Sequence, residues 1–175
     1  MRSLRPVELP SDIRGRLFLH SMPGRYEPLE EFWTHLGRVG CSTIVCLAPI
    51  DEMRKKSPSY ADALDAESSP CKVLHFPIPD YKAPEDIAAF VKSVNDVAEA
   101  LRQGDAILVH CGAGIGRTGT FAIGTLIALG LSLEEARTRV SKAGSSPERP
   151  EQEESLRRLA SGWQPRRRAP GSNEL

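Results

Sequence analysis

"HCGAGIGRTG", His110 to Gly119, carries two phosphate-binding patterns in one ten-residue stretch. "GIGRTG" (Gly114–Gly119) fits G-x-G-x-x-G, the glycine pattern of dinucleotide-binding folds. "CGAGIGR" (Cys111–Arg117) instead places a cysteine and an arginine at the two ends of a glycine-rich loop. The first pattern predicts a cofactor-binding domain, the second an enzyme with a sulfur nucleophile. The flanking sequence decides between them.

Just before the loop, "AILVH" (Ala106–His110) is apolar without alternation, as a central strand covered on both faces should be. Just after it, Thr118 to Leu129 is apolar nearly all round, which predicts a buried helix. Towards the N-terminus, "RLFLH" (Arg16–His20), "STIVCLA" (Ser42–Ala48) and "KVLHFPI" (Lys72–Ile78) read as strands. Leu29, Phe32, Trp33 and Leu36 recur at helical spacing between the first two. The polar segment 49–70 is expected to lie on the surface, with a short helix around Tyr60–Ala66. Pro84 is assigned to the first turn of a helix whose apolar face is Ile87, Phe90, Val91, Val94, Ala98 and Leu101 and which Gly104 ends. Downstream, Ser132 and Glu135 match a capping box opening a helix that Gly144 stops, and a last helix spans about Pro150 to Ser161. Strands alternating with helices predict an α/β fold: one domain with a central, mainly parallel β-sheet flanked by helices on both faces. The domain is read as 1–165 with its core at about 12–162, and 166–175, with "RRR" at Arg166–Arg168, as a mobile basic tail.

This order of elements rejects the dinucleotide pattern. Such a fold needs another strand about 20 residues on, ending in an acidic residue that holds a ribose. Here that interval holds the rest of one helix and the start of the next, and Glu134 and Glu135 fall in a helical first turn. No Lys-Ser/Thr pair completes a nucleotide P-loop either.

Composition narrows the class further. The chain has 175 residues, with Lys+Arg and Asp+Glu both at 23, so no net charge draws it to nucleic acid or to an anionic membrane. No run is long enough to span a bilayer, and the N-terminus lacks the apolar core of a secretory signal. The four cysteines, Cys41, Cys46, Cys71 and Cys111, are therefore read as reduced thiols of a cytoplasmic protein. Three of them are expected to be small core residues; a reversible disulfide from one of these to Cys111 is the less favoured alternative. The four histidines are scattered, and no metal-ligand spacing occurs, so neither metal nor cofactor is expected.

Each part of the cysteine pattern has a chemical reason. Cys111 follows the strand directly, so its sulfur sits at the base of the loop near a helix N-terminus, where N–H groups and the dipole lower a thiol pKa from about 8.5 towards 3.5–7.5. Gly112, Gly114 and Gly116, with Ala113 and Ile115 between them, let successive N–H groups face one oxyanion. Arg117 grips two phosphoryl oxygens with its planar fork. Thr118 brings a hydroxyl near the sulfur.

"HCGAGIGRTG" resembles the signature loop of the cysteine-based protein tyrosine phosphatase superfamily, in particular its compact, dual-specificity-like members. The resemblance implies that the Cys111 thiolate attacks a phosphate monoester, forming a phosphocysteine that water hydrolyses. It implies that Arg117, with the 112–117 loop, binds substrate and transition state, that Thr118 assists departure of the sulfur, and that His110 holds the cysteine's geometry. "IPDYKAP" (Ile78–Pro84) resembles the family's general-acid loop and makes Asp80 the proton donor, although Ile78 stands where the family usually has tryptophan. "SSPERPEQ" (Ser145–Gln152) resembles the downstream loop whose glutamine, here Gln152, orients the hydrolytic water. The three matches occur in the family's order.

The implied partner is a phosphorylated protein, most readily phosphotyrosine, with phosphoserine or phosphothreonine as further substrates. No nucleic acid or membrane partner is expected, and the sequence is silent on oligomeric state. The loop interior holds no lysine, which argues against highly anionic ligands, although Lys82 and Arg25 sit in segments able to enter the site. A phosphoinositide, inositol phosphate or nucleic-acid-end phosphatase remains the alternative, as does a module that binds phosphate without turnover.

Overall fold

The computed structural model describes residues 4–162, so the expected basic tail lies outside the described residues. The chain runs β1 (Arg5–Val7), β2 (Arg16–His20), α1 (Leu29–Arg38), β3 (Thr43–Cys46), α2 (Ile50–Lys56), α3 (Pro58–Asp65), β4 (Lys72–His75), α4 (Ile87–Gln103), β5 (Ala106–His110), α5 (Gly116–Ala128), α6 (Leu133–Lys142) and α7 (Pro150–Ala160). The strands form one sheet in the order β1-β2-β5-β3-β4. Only β1 is antiparallel; β2, β3, β4 and β5 run parallel. The expected mainly parallel α/β sheet is thus a mixed sheet of five strands.

β5 lies at the centre, with Leu108 opposite Phe18 of β2 on one side and Ile44 of β3 on the other. All five of its residues are buried, which is why the sequence there shows no alternation. On one face Leu19, Val45, Ile107 and Val109 pack against Phe90, Val94, Phe121 and Leu126 of α4 and α5, together with Ala136, Val140 and Leu156 from α6 and α7. On the other, Phe18, Ile44 and Leu108 meet Phe32 and Leu36 of α1. Truncating one such side chain, Leu126→Ala for instance, costs about 2–5 kcal/mol.

Three local expectations shift. β1 has no counterpart in the sequence reading: its three residues include Pro6, too short and too irregular for a strand signal. α4 starts at Ile87 rather than near Pro84, because Asp86 caps it by accepting the Ala89 N–H at 2.9 Å. Pro84 stays in the preceding loop. The segment 49–70 holds two helices instead of one, the second opened by Pro58 in its first turn. The Ser132–Glu135 capping box and the left-handed Gly104 that closes α4 are both present.

Candidate active site

The C-terminal ends of β2, β3 and β5 open into loops on one edge of the sheet, where ligands of open α/β sheets bind. Cys111 follows the last residue of β5 and Arg117 lies in the first turn of α5, so five residues of loop join the most buried strand to the most buried helix. Cys111 is 2% exposed and its Sγ accepts the Gly114 N–H at 3.3 Å. Gly114 has φ +77°, and a Cβ there would lie 2.3 Å from the His20 carbonyl oxygen, so the turn that aims this N–H at sulfur requires glycine.

His110 is fully buried, with Nδ1 3.2 Å from the Cys111 carbonyl and Nε2 2.9 Å from the Tyr60 hydroxyl. A carbonyl only accepts, so Nδ1 carries the proton and Nε2 accepts from Tyr60. Burial holds this imidazole neutral by lowering its pKa from 6.5 to about 3. Burial likewise raises the Tyr60 hydroxyl well above its usual value.

Arg117 is 3% exposed, and both of its terminal nitrogens are engaged. Its Nη1 donates to Glu52 Oε2 at 2.7 Å and to the Ile78 carbonyl at 2.9 Å; its Nη2 donates to Glu52 Oε1 at 2.9 Å and to Asp80 Oδ1 at 2.8 Å. Glu52, on α2, thus holds the guanidinium with a bidentate fork. Lys56, one turn further along α2, donates to Glu52 Oε1 at 2.7 Å and to Asp80 Oδ2 at 3.2 Å. Burial pushes the Glu52 carboxyl up, but its bonds to Arg117 and Lys56 outweigh this and hold it below the usual range. A Cβ on Gly112 would meet Glu52 Oε1 at 2.3 Å, so this charged cluster packs directly against the loop backbone there.

Sequence reasoning missed Glu52, Lys56 and Tyr60. The available signal was weak: acidic and basic residues at (i, i+4) on α2 read as a surface pair.

Asp80 lies on the β4–α4 loop, and its carboxylate reaches Arg117 while staying 45% exposed. Beside it Tyr81 has φ +60°, left-handed backbone that non-glycine residues rarely adopt, and its N–H bonds Asp80 Oδ1 at 3.2 Å. Gln152 is buried, and both ends of its amide are used: Oε1 accepts the Glu148 N–H at 2.8 Å and Nε2 donates to the Lys82 carbonyl at 2.9 Å. It therefore ties the acid loop to the segment before α7. Thr118 is buried, and its hydroxyl has no hydrogen-bond partner among the described residues, so the expected bond to sulfur is not made. Lys82 is exposed, and Arg25 stacks on Tyr26, 4.7 Å from its ring centre.

The other cysteines divide by position. All four are free thiols. Cys41 and Cys71 precede β3 and β4, at the opposite end of the parallel sheet from Cys111. Four strand residues at ~3.3 Å each exceed the ~7 Å Cα limit for a disulfide, so neither can bridge to Cys111. Cys46 is buried with its thiol on Met53 Sδ at 3.5 Å, and burial raises its pKa to about 12. Among the described residues no helix is long and apolar enough to cross a membrane.

The family model described as Tc-R-P, polymorphic toxin system, DSP-PTPase phosphatase, matches residues 20–131. By sequence the chain is 36% identical over 104 residues to receptor-type tyrosine-protein phosphatase V of Rattus norvegicus, covering 56% of this chain and 6% of that protein. It is 30% identical over 130 residues to tyrosine-protein phosphatase 1 of Caenorhabditis elegans, covering 53% of this chain and 13% of that protein. The chain thus spans a small part of the length of these curated relatives. Among solved structures, Tk-PTP in its active form aligns with TM-score 0.67 and 28% identity over 86% of this chain and 97% of its own. Kinase-associated phosphatase with its catalytic cysteine replaced by serine aligns with TM-score 0.76 and 20% identity, over 93% and 97%, and shares the fold. With residues 20–131 matched and a cysteine–arginine loop at the head of the central sheet, the chain belongs to the dual-specificity-type family of cysteine-based protein tyrosine phosphatases.

Proposed function

We propose that this protein hydrolyses phosphate monoesters through a phosphocysteine, with protein phosphotyrosine as its main substrate and phosphoserine or phosphothreonine as secondary ones. The convergence of Cys111 Sγ, the Gly114 N–H and the Arg117 guanidinium at the head of β5 carries this reading. The Cys111 thiolate attacks phosphorus as the ester P–O bond breaks, and Asp80, which takes up a proton from solvent once substrate has displaced it from Arg117, gives that proton to the leaving oxygen. The phosphate takes over Arg117 Nη2, which Asp80 holds in its absence, and so releases the acid to reach that oxygen. Water then attacks phosphorus, giving a proton to the Asp80 carboxylate, and the S–P bond breaks to return the Cys111 thiolate. The unpartnered Thr118 hydroxyl supplies a bond to the departing sulfur. Orienting that water would require Gln152 to release the Lys82 carbonyl. The arginine and the loop amides supply the positive field, so no metal is needed.

The rim supports an aryl phosphate. The large hydrophobic residues exposed among the described ones, Tyr26, Tyr81 and Ile115, lie on three of the loops at the Cys111 edge of the sheet: β2–α1, β4–α4 and β5–α5. Such a rim suits the ring of phosphotyrosine. A structural neighbour, PTPMT1, is known in complex with PI(5)P, at TM-score 0.67 and 19% identity. This chain has no basic residue between Cys111 and Arg117 to favour so anionic a headgroup.

Cys111→Ser should abolish phosphate release from a phosphotyrosine peptide, by about 10⁴-fold or more. Unchanged release would overturn the mechanism. Catalytic efficiency compared across phosphotyrosine peptide, phosphothreonine peptide and PI(5)P vesicles tests the substrate, and a preference for the lipid would overturn that part.

A further inference from the structure

Arg5 lies on β1, the edge strand, 109 residues before Gly114, yet its guanidinium reaches the cysteine loop. Its Nη2 donates to the Gly114 carbonyl at 2.5 Å. Its Nη1 donates to the carbonyls of Ala143 and Gly144, at 2.9 and 2.6 Å, and to Ser145 Oγ at 3.1 Å. The Ser145 hydroxyl in turn donates to the same Gly114 carbonyl at 2.7 Å. One loop carbonyl thus receives two donors, one of them cationic, from segments at opposite ends of the chain.

The peptide plane turns this contact into a statement about the site. In a trans peptide the carbonyl of one residue and the N–H of the next point in opposite directions. A Gly114 carbonyl pulled outward therefore turns the Ile115 N–H inward, towards the space above Cys111. The same rule applies earlier in the loop, where the Met22 N–H holds the Gly112 carbonyl at 3.2 Å and so directs the Ala113 N–H. The Met22 anchor comes from the backbone of the neighbouring β2 end. The Gly114 anchor depends on side chains, and Arg5 supplies its charge.

We propose that Arg5 is a positioning residue for the oxyanion-binding loop: through the Gly114 carbonyl it presets the Ile115 N–H for the phosphate, with Ser145 as the second strut. This rests on the phosphatase reading above. A guanidinium facing carbonyl and hydroxyl oxygens forms strong charge-assisted bonds, and presetting amide donors before substrate arrives avoids reorganising them during the reaction.

The test uses Arg5→Ala, Arg5→Lys and Ser145→Ala in the full chain, below each variant's Tm. It measures kcat and KM for p-nitrophenyl phosphate, the inhibition constant of orthovanadate, and the pH midpoint of Cys111 alkylation by iodoacetate. Arg5→Ala should weaken vanadate inhibition and lower kcat/KM, each by about tenfold or more, and move the alkylation midpoint upward. Arg5→Lys should recover part of each loss, and Ser145→Ala should show a smaller one. Vanadate inhibition and alkylation midpoint both unchanged in folded Arg5→Ala would overturn the proposal; if that variant does not fold, unchanged values in both Arg5→Lys and Ser145→Ala overturn it equally. A wild-type protein that releases no phosphate would defeat the phosphatase reading alone, because the alkylation midpoint still reports whether Arg5 shapes the loop.

Discussion

The cysteine loop and the acid loop meet at Arg117 and are held in different ways. In the cysteine loop the carbonyls of Cys111, Gly112 and Gly114 are each fixed by a donor from outside the loop: His110, Met22, and Arg5 with Ser145. Cys111 and Arg117 are almost fully buried there. In the acid loop, Asp80 is close to half exposed and held by two ion pairs, to Arg117 and Lys56, while Gln152 fixes the backbone two residues on. Bonds to buried carbonyls do not compete with a phosphate, whereas ion pairs to a carboxylate do. In the proposed mechanism this difference separates a preset anion cup from an acid that substrate itself can release.

The largest break in that comparison is expected from the acid loop. Asp80→Asn keeps the size of the side chain and removes the acid of the proposed mechanism. With a phosphotyrosine peptide kcat should fall by about 10²-fold or more. With p-nitrophenyl phosphate the loss should be smaller, because that leaving group needs less protonation. Equal losses on both substrates would show that Asp80 acts through Arg117 rather than on the leaving oxygen.

How far the sequence reveals each region follows from the range of its contacts. β5, the glycine loop and α5 are contiguous, so a buried cysteine and arginine at the two ends of a glycine loop can be read from ten residues. The place of Asp80 on a strand-to-helix loop is legible because prolines lie on either side of it. Glu52 was not, since it meets Arg117 across 65 residues and nothing local marks it as more than a surface acid. Arg5 was hidden for the same reason, on a strand too short for periodicity to reveal. Gln152 stands out in the sequence beside its two prolines, but nothing local signals that its buried amide is committed to two backbone groups, one of them 70 residues away.

Glu52→Gln sharpens the comparison at the point where the two loops join. The amide keeps one bond to Arg117 but loses the charge-assisted fork, in a pair whose side chains are 3% and 10% exposed. Breaking so buried a pair costs roughly 3 kcal/mol of stability. A freed guanidinium should also hold Asp80 more tightly, so kcat is expected to fall about tenfold for the peptide substrate. Urea denaturation and steady-state kinetics check the two effects separately. Unchanged stability would show that the fork contributes nothing net.

The smallest effect lies under the cysteine loop and is read through pH. His110 titrates at about 3 in the folded chain and near 6.5 when unfolded, so between those values the unfolded state binds more protons. Stability from this group is complete above pH 6.5 and drains away as pH falls towards 3, by up to about 1.4 kcal/mol per pH unit. Glu52 acts with the same sign but in a lower window, since a depressed carboxylate loses its contribution only below its usual 4.5. Urea midpoints at pH 7, 6 and 5 therefore isolate the histidine. His110→Gln, which cannot take up the proton, should make this acid limb shallower while lowering the pH 7 midpoint through the lost Tyr60 and Cys111 bonds. Parallel limbs in the two proteins would mean that the imidazole is not held neutral, and that the cysteine loop's innermost anchor is looser than its burial implies.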